Sequence, residues 1–321
     1  MKNKNKEKKF KLFDMNRDGK GVYEAESRKP TLKFFFKLLW RKFSQLLQLN
    51  LLMLFQVVPV IIILFVYFSG TKTPTSTDVL YAPLYGIGLT STSASFASLL
   101  DFSSIQMGLP VFSPTIMIIL VVLLAFVVIT YGWQNVGAAY VLRGLFRGDP
   151  VFVFTDFFHG IKRNFKQSFF MGIIDSVFTG VLIADFMFFY NRTGSFGLDF
   201  MYFTIFALVL IYIVMKFYIY QLLITFKLSN FKILKNALIF TVLGIKRNIM
   251  AILGIVLVIA INVLLIVLLI PYGISIPLVL PFVYIMSLLG FITTYAAYPV
   301  IDKYMIEPYK ASENEDATEE Q

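Results

Sequence analysis

The stretch Pro150–Asp175, with the sequence PVFVFTDFFHGIKRNFKQSFFMGIID, decides the fold of this chain. In its first half, phenylalanines fall on one helical face and basic residues elsewhere, as in a helix lying at a membrane surface. Its second half continues without a break into an apolar run long enough to cross a bilayer. Its core, Gly160–Asn164 (GIKRN), recurs as Gly244–Asn248, and a looser version, Trp40–Phe43, precedes the first apolar run. The sequence therefore predicts a repeated element that joins a surface helix to a membrane span.

The composition indicates a membrane protein that crosses the bilayer several times. Hydrophobic residues make up 58% of the 321 residues and charged residues only 15%, whereas soluble chains carry roughly 25% charged residues. The chain has no cysteine, which excludes disulfides and zinc–thiolate sites, and a single histidine, His159, which excludes a multi-histidine metal site. We therefore expect no metal and no cofactor.

Six apolar runs have the length of membrane spans. They lie at about 49–68, 115–136, 168–190, 200–226, 249–270 and 274–300. We expect a basic cytosolic tail at 1–30, a membrane domain at 31–310 and an acidic disordered tail at 311–321. The segment 70–114 is predicted as a long outer loop whose apolar pieces form an ordered cap.

The distribution of basic residues predicts the orientation of these spans. Of the 29 Lys and Arg residues, only Lys72 and Arg192 fall on the predicted outer side, and Lys216 lies within a span. The other 26 flank the inner ends, as the positive-inside rule requires. Both termini are therefore predicted to be cytoplasmic. The net charge of +10 follows from this distribution, so we do not expect a nucleic-acid binder.

The predicted fold is all-α, with six transmembrane helices arranged as three hairpins. A basic amphipathic interfacial helix precedes each hairpin, and its bases face anionic lipid headgroups. We call the junctions between these helices and the spans basic elbows. Their marker residues are Arg41, Lys42, Lys162, Arg163, Lys246 and Arg247.

Two ionisable side chains inside the predicted spans form the candidate site. Asp175 lies about 12 Å from the inner end of the third span, and Lys216 about 15 Å from the inner end of the fourth. A charge at the bilayer centre costs roughly 2.5–3.5 kcal/mol, so we expect these two to face each other or share a polar cavity. Three interpretations remain open: an ion pair that fixes helix packing, a proton- or substrate-linked site, and a snorkelling lysine with an unrelated aspartate.

The remaining polar residues of the membrane domain are predicted to have structural roles. Asp185 is expected to be solvated near the outer surface. His159 and Asp156, three residues apart, are expected to form a surface hydrogen bond rather than a catalytic pair. Side-chain amides within or beside the spans are expected to form interhelical hydrogen bonds. These amides are Asn50, Gln56, Gln134, Asn135 and Asn262.

The segment Phe157–Gln167 (FFHGIKRNFKQ) resembles the signature of the YesL-like membrane proteins, also called the domain-of-unknown-function 624 family. The segments Phe13–Val22, Asn50–Leu52 and Lys235–Leu238 are also similar to members of this family. The resemblance extends from about Phe13 to Tyr309. It implies a bacterial inner-membrane protein associated with carbohydrate uptake, and it supplies no binding or catalytic residues.

Three classes of function remain open at this point. The first is a transport-related protein, either an accessory to a carbohydrate ABC permease or a small-solute transporter itself. The second is a membrane scaffold or regulatory module that binds a protein partner or anionic lipid through its basic helices. The third, a membrane enzyme, is not expected, because no nucleophile–base constellation or metal site accompanies the spans.

Overall fold

The computed structural model describes residues 30–69, 72–74, 108–110, 112–190, 192 and 194–308. Within these residues the chain forms eight α-helices and two strands of three residues each. The helices are α1 (Leu32–Ser69), α2 (Pro114–Arg147), α3 (Val153–Arg163), α4 (Phe165–Tyr190), α5 (Phe196–Thr225), α6 (Asn230–Leu243), α7 (Ile245–Leu269) and α8 (Ile276–Ile301). A 3-10 turn, Ile270–Tyr272, follows α7, and a π-helical turn, Asp302–Ile306, follows α8.

Six of these helices are long and apolar enough to cross a membrane: α1, α2, α4, α5, α7 and α8. Their most apolar windows have mean hydropathies between 1.7 and 3.3. A helix satisfies its own backbone hydrogen bonds, which is the condition for crossing hydrocarbon. The predicted number of six spans is confirmed, and the chain is an integral membrane protein.

The first basic element is not a separate interfacial helix. The predicted surface segment 31–48 and the first span form one continuous helix, α1, of 38 residues or about 57 Å. The hydrocarbon core is only about 30 Å thick, so α1 extends well beyond it. Leu38, Leu46 and Leu49 are all buried, so the packed face of α1 continues across the expected boundary. This packing explains why the helix does not bend there.

The other two basic elements are separate short helices, α3 and α6, each joined to the next span by one non-helical residue. Their buried residues have the same spacing, with Val153, Phe157 and Gly160 in α3 and Ile233, Ala237 and Phe240 in α6. The joining residues are Asn164 and Gly244, which lie 80 residues apart. The two helices therefore pack against the bundle in the same way.

The two GIKRN motifs do not occupy equivalent positions in this structural repeat. They lie 84 residues apart, four more than the joining residues, which is about one helical turn. Lys162 and Arg163 consequently end α3, whereas Lys246 and Arg247 lie in the first turn of α7. The two motif copies are therefore not equivalent in the structure, because the buried residues of α3 and α6 lie 80 residues apart and the motifs 84.

The buried side chains are concentrated in one half of the bundle. Most of them come from the C-terminal halves of α2, α5 and α8, the N-terminal half of α4, and the inner faces of α3 and α6. Helix α2 is central, since it packs against α1, α3, α4, α5 and α8. The opposite halves of the spans expose apolar side chains, which suits contact with lipid chains.

Side-chain amides connect the spans as predicted in four of five cases. The Nδ2 of Asn50 in α1 donates to the Phe282 carbonyl in α8, at 2.5 Å, and its Oδ1 accepts from the Ser287 backbone N–H at 3.1 Å. Gln56 and Gln134 join α1 and α2, and Asn262 of α7 bonds the hydroxyl of Tyr284 in α8. The exception is Asn135, which donates within α2 to the Tyr131 carbonyl.

The ends of the predicted outer loop are held together by an antiparallel pair of strands, β1 (Lys72–Pro74) and β2 (Gly108–Pro110). Lys72 pairs with Pro110 and Thr73 with Leu109. The cap expected from the apolar pieces of this loop lies outside the described residues. The tails expected at 1–30 and 311–321 also lie outside them, apart from Pro30.

Candidate functional site

The structure places Asp175 and Lys216 in direct contact. The Nζ of Lys216 lies 3.1 Å from Oδ1 of Asp175. Asp175 lies about 15 Å along α4 from its start, and Lys216 about 14 Å before the end of α5, so the two side chains meet at a common depth. The carboxyl side chain is only 1% exposed and the lysine side chain 25%.

Two tyrosines on α5 complete the coordination of this carboxylate. The hydroxyl of Tyr212 donates to Oδ1 of Asp175 at 2.6 Å, and the hydroxyl of Tyr220 donates to Oδ2 at 2.8 Å. Tyr212, Lys216 and Tyr220 are spaced four residues apart, which places all three on one face of the helix. A single face of α5 therefore supplies both phenol donors and the ammonium group.

Helix α2 contributes a third tyrosine. The Nζ of Lys216 donates to the hydroxyl of Tyr131 at 3.1 Å. The ammonium group also lies 5.3 Å from the ring centroid of Tyr131 and 5.4 Å from that of Tyr212, within the range of cation–π attraction. We call Tyr131, Asp175, Tyr212, Lys216 and Tyr220 the Asp175 cluster. It joins α2, α4 and α5.

A close crossing of α2 and α4 positions the cluster. Gly132, next to Tyr131, lies against Gly172 and the Ser168 carbonyl of α4. A Cβ atom on either glycine would collide with the backbone of the other helix. Small residues allow transmembrane helices to approach in this way. The crossing holds Tyr131 on α2 and Asp175 on α4 at the same level.

The arrangement satisfies the buried charges internally. Both carboxylate oxygens of Asp175 accept hydrogen bonds, and the charge is balanced by Lys216. Thr179, one turn further along α4, donates to the backbone carbonyl of Asp175 at 2.7 Å. Hydrogen bonds to a charged group are roughly twice as strong as neutral ones. The cluster can therefore hold three helices together in a medium where an unpaired charge is unstable.

Sequence reasoning identified the ion pair but missed the tyrosines. Two of the tyrosines could have been predicted from the sequence, because Tyr212 and Tyr220 each lie four residues from Lys216. No comparable signal marks Tyr131, because its role depends on how closely α2 and α4 approach at Gly132.

The marker residues of the basic elbows do not join this cluster. Their side chains are exposed or partly exposed: Arg41, Lys162, Arg163 and Lys246 are exposed, and Lys42 and Arg247 are half-buried. Asp185, further along α4, is half-buried. The site within the spans and the basic elbows are therefore separate features of the molecule.

The predicted hydrogen bond between His159 and Asp156 is not formed. Oδ2 of Asp156 instead accepts from the Phe152 backbone N–H at 2.8 Å, at the start of α3. The ring of His159 lies against Tyr140 of α2, with 5.6 Å between the centroids. An N–H at a helix start has no partner within the helix, which explains why the carboxylate binds there instead. Within the described residues, no group of three His, Cys, Asp or Glu side chains is placed to hold a metal ion.

Comparison with known families adds one finding. Residues 111–186 match the model of a family described as a protein of unknown function, DUF624. The chain is similar to the DUF624 family. This confirms, over that range, the resemblance noted in the sequence. The DUF624 segment covers α2, α3 and most of α4, and so includes Tyr131, the crossing at Gly132 and Asp175, whereas Lys216 lies beyond it. No curated protein and no solved structure matches the chain.

Proposed function

We propose that the protein is a non-catalytic accessory subunit associated with carbohydrate uptake, and that it is not itself the path of the solute. It would serve a carbohydrate ABC permease in the bacterial cytoplasmic membrane. The support for the carbohydrate link is the resemblance to the DUF624 family seen in the sequence. The support for an accessory role is the geometry of the Asp175 cluster.

The accessory role is supported by the pairing of the two intramembrane charges, Asp175 and Lys216, with each other. Ionisable residues that serve an ion or substrate pathway face a water-filled cavity or belong to a relay of proton-carrying side chains. In the Asp175 cluster, both carboxylate oxygens accept tyrosine hydrogen bonds, and Lys216 contacts both Asp175 and Tyr131. Such an arrangement favours a fixed connection between helices over a binding site.

Deletion of the gene tests this proposal when it is combined with purification of the tagged protein in mild detergent. We expect slower growth on one or a few sugars and a permease subunit among the co-purifying proteins. Unchanged growth on all sugars together with no permease partner would refute the accessory role. Transport of a sugar by the protein alone in proteoliposomes would replace it with a transporter.

The proposed topology has three hairpins, α1–α2, α4–α5 and α7–α8, with both termini in the cytoplasm. Its support is the distribution of basic residues and the packing of the two helices of each pair against each other. The absence of cysteine allows a direct test with single-cysteine variants and a membrane-impermeant thiol reagent. We expect Lys246→Cys to react only from the cytoplasmic side and Lys72→Cys only from the outer side. The reverse pattern would refute the orientation.

A second candidate function is a membrane scaffold that binds a partner or anionic lipid through its basic helices. The observation that favours it is the exposure of Lys162, Arg163 and Lys246 beside exposed aromatic residues such as Phe158 and Phe231. Neutralising Lys162, Arg163, Lys246 and Arg247 together should weaken that binding. An unchanged set of co-purifying proteins and lipids would exclude this candidate.

A further inference from the structure

The third elbow, between α6 and α7, carries only positive charge. Between the end of α5 and the first turn of α7, residues 226–248 contain five basic residues and no acidic residue. We call these five residues the α6 surface. They are Lys227, Lys232, Lys235, Lys246 and Arg247.

Nothing within the described residues neutralises this charge. None of the five takes part in an ion pair there, and four of them are exposed, with Arg247 half-buried. The second elbow, between α3 and α4, differs, since Asp149 pairs with Arg147 at 3.4 Å and Asp156 lies within α3 itself. The α6 surface is therefore the stronger cationic patch of the two.

Helix α6 also exposes apolar side chains on the side opposite its buried face. Phe231 is 76% exposed, Val242 is 68% exposed and Leu238 is 48% exposed. At 100° per residue these three lie across the helix from the buried Ile233 and Ala237. Lys235 and Lys232 lie on one side of this apolar ridge, so one helix presents cations and apolar groups together.

Gly244, the non-helical residue that joins α6 to α7, forms a hinge that sets the position of the basic residues on the two helices. A Cβ atom at Gly244 would collide with the hydroxyl of Tyr218, which donates to Oδ1 of Asn248 at 2.6 Å. The Nδ2 of Asn248 in turn donates to the Thr241 carbonyl near the end of α6, at 3.0 Å. Because the GIKRN motif is displaced by one turn here, the hinge places Lys246 and Arg247 on α7, immediately after α6. Lys246 and Arg247 therefore lie next to the C-terminal end of α6, whereas Lys232 and Lys235 lie in its first half.

We propose that the α6 surface is a binding site for the headgroups of anionic phospholipids. A lipid surface accommodates both features of α6, because its phosphates pair with the lysines while the acyl boundary covers the ridge of Phe231, Leu238 and Val242. An acidic peptide in water would leave part of that ridge exposed. The inference rests on the second candidate function. It specifies lipid as the ligand and the α6 surface as the site, in preference to the second elbow.

The experiment uses the full chain, purified in an uncharged detergent and titrated with phosphatidylglycerol or phosphatidylcholine in mixed micelles. Native mass spectrometry measures the bound lipid at each concentration. We expect phosphatidylglycerol to bind selectively, with an affinity that falls as salt is raised. The double variant Lys246→Gln/Arg247→Gln should bind it roughly thirtyfold more weakly, given the attraction of each base to an anionic surface.

The matched control is Lys162→Gln/Arg163→Gln, which changes the same two residues of the first motif copy. We expect a much smaller effect there, and we expect Lys246→Arg to bind like the wild type. Equal binding of both lipids, an unchanged Lys246→Gln/Arg247→Gln variant, or equal losses in both double variants would overturn the proposal. Binding of polyglutamate in place of phosphatidylglycerol would overturn it too, in favour of a protein ligand.

Co-purification of partners, measured on the same variants, separates this inference from the function on which it rests. Unselective lipid binding by the wild-type chain would refute the lipid site alone, if Lys246→Gln/Arg247→Gln still loses partners that the wild type retains. Unselective lipid binding by the wild type together with an unchanged set of partners in the variants would refute both.

Discussion

Replacing Asp175 by asparagine removes one negative charge from the bundle while keeping the size of the side chain. The amide oxygen can still accept the hydrogen bond of Tyr212, which lies 2.6 Å from Oδ1. Lys216, in contrast, loses its only counter-charge among the described residues, since its other polar partner is the hydroxyl of Tyr131. The variant removes the charge and also the hydrogen bond of Tyr220, because an amide nitrogen in place of Oδ2 cannot accept from that hydroxyl.

The expected loss in the free energy of unfolding is about 3 kcal/mol. Removing one member of a buried ion pair typically costs about 3–5 kcal/mol, because the partner remains buried without compensation. The lower end applies here because the Lys216 side chain is 25% exposed, so part of it can relax towards the headgroups. Lys216→Gln should destabilise the protein by a similar amount.

A double-mutant cycle measures the interaction directly. The assay is unfolding by titration with sodium dodecyl sulfate in mixed micelles, followed by circular dichroism. In Asp175→Asn/Lys216→Gln both charges are removed, so no unpaired charge remains. We therefore expect a coupling free energy of about 2 kcal/mol between the two substitutions. Asp185→Asn is the matched control in the same helix, and its effect should stay within about 0.5 kcal/mol.

Additive losses in the cycle would refute the interpretation of Asp175 and Lys216 as an interacting pair. A loss for Asp175→Asn no larger than that for Asp185→Asn would refute the claim that the cluster holds the helices together. The two outcomes are distinct, because the first concerns the contact and the second concerns its contribution to stability.

Two further predictions concern glycines at helix contacts, measured by the same titration. Gly172→Ala should destabilise the protein by about 1–3 kcal/mol, because its Cβ collides with the backbone at Gly132. Gly180→Ala in the same helix is the control: its Cβ meets nothing within 4 Å, so it should not destabilise the protein. Gly244→Ala should also destabilise it, and Tyr218→Phe should offset part of that loss by removing the hydroxyl that the new methyl group meets. Strictly additive effects of the last two substitutions would contradict the geometry of the hinge.

The membrane spans were predictable because their signal is local and one-dimensional. A run of about 20 apolar residues and the position of flanking bases are visible in the sequence. Helix ends were less predictable. Helix α2 continues to Arg147, eleven residues past the expected end of its span, because Gly137, Ala138 and Ala139 keep it packed against neighbouring helices.

The repeat was visible in the sequence, but its structural register was not. The GIKRN motif marks the second and third elbows. The non-helical joining residue, however, keeps a constant distance from the three buried residues of α3 or α6 and not from the motif. A displacement of one helical turn keeps the side chains near the same face, so periodicity alone does not reveal it. At the second hinge Gly244 lies against the hydroxyl of Tyr218, a contact that the sequence pattern does not reveal.

The candidate site was predicted in part for a physical reason. Asp175 and Lys216 were notable because charges are rare in spans, and their matching depths predicted proximity. Tyrosines are common in this chain, with 17 in total, so none was notable by itself. Which tyrosines donate hydrogen bonds to Asp175 depends on the rotation of α5 and on the crossing of α2 and α4. Neither is visible in a local sequence pattern.

The most direct test of the accessory role is sugar uptake in cells that carry a charge-free cluster. In a strain lacking the gene, we expect Asp175→Leu/Lys216→Met to restore permease-dependent uptake to the wild-type rate, provided that the variant accumulates to the wild-type level. Apolar residues can replace a buried ion pair with little loss of stability. The level of the variant is measured because the hydroxyls of Tyr212 and Tyr220 lose their acceptor. Normal levels of folded variant with no restored uptake would contradict the account, because the charges would then act in transport itself.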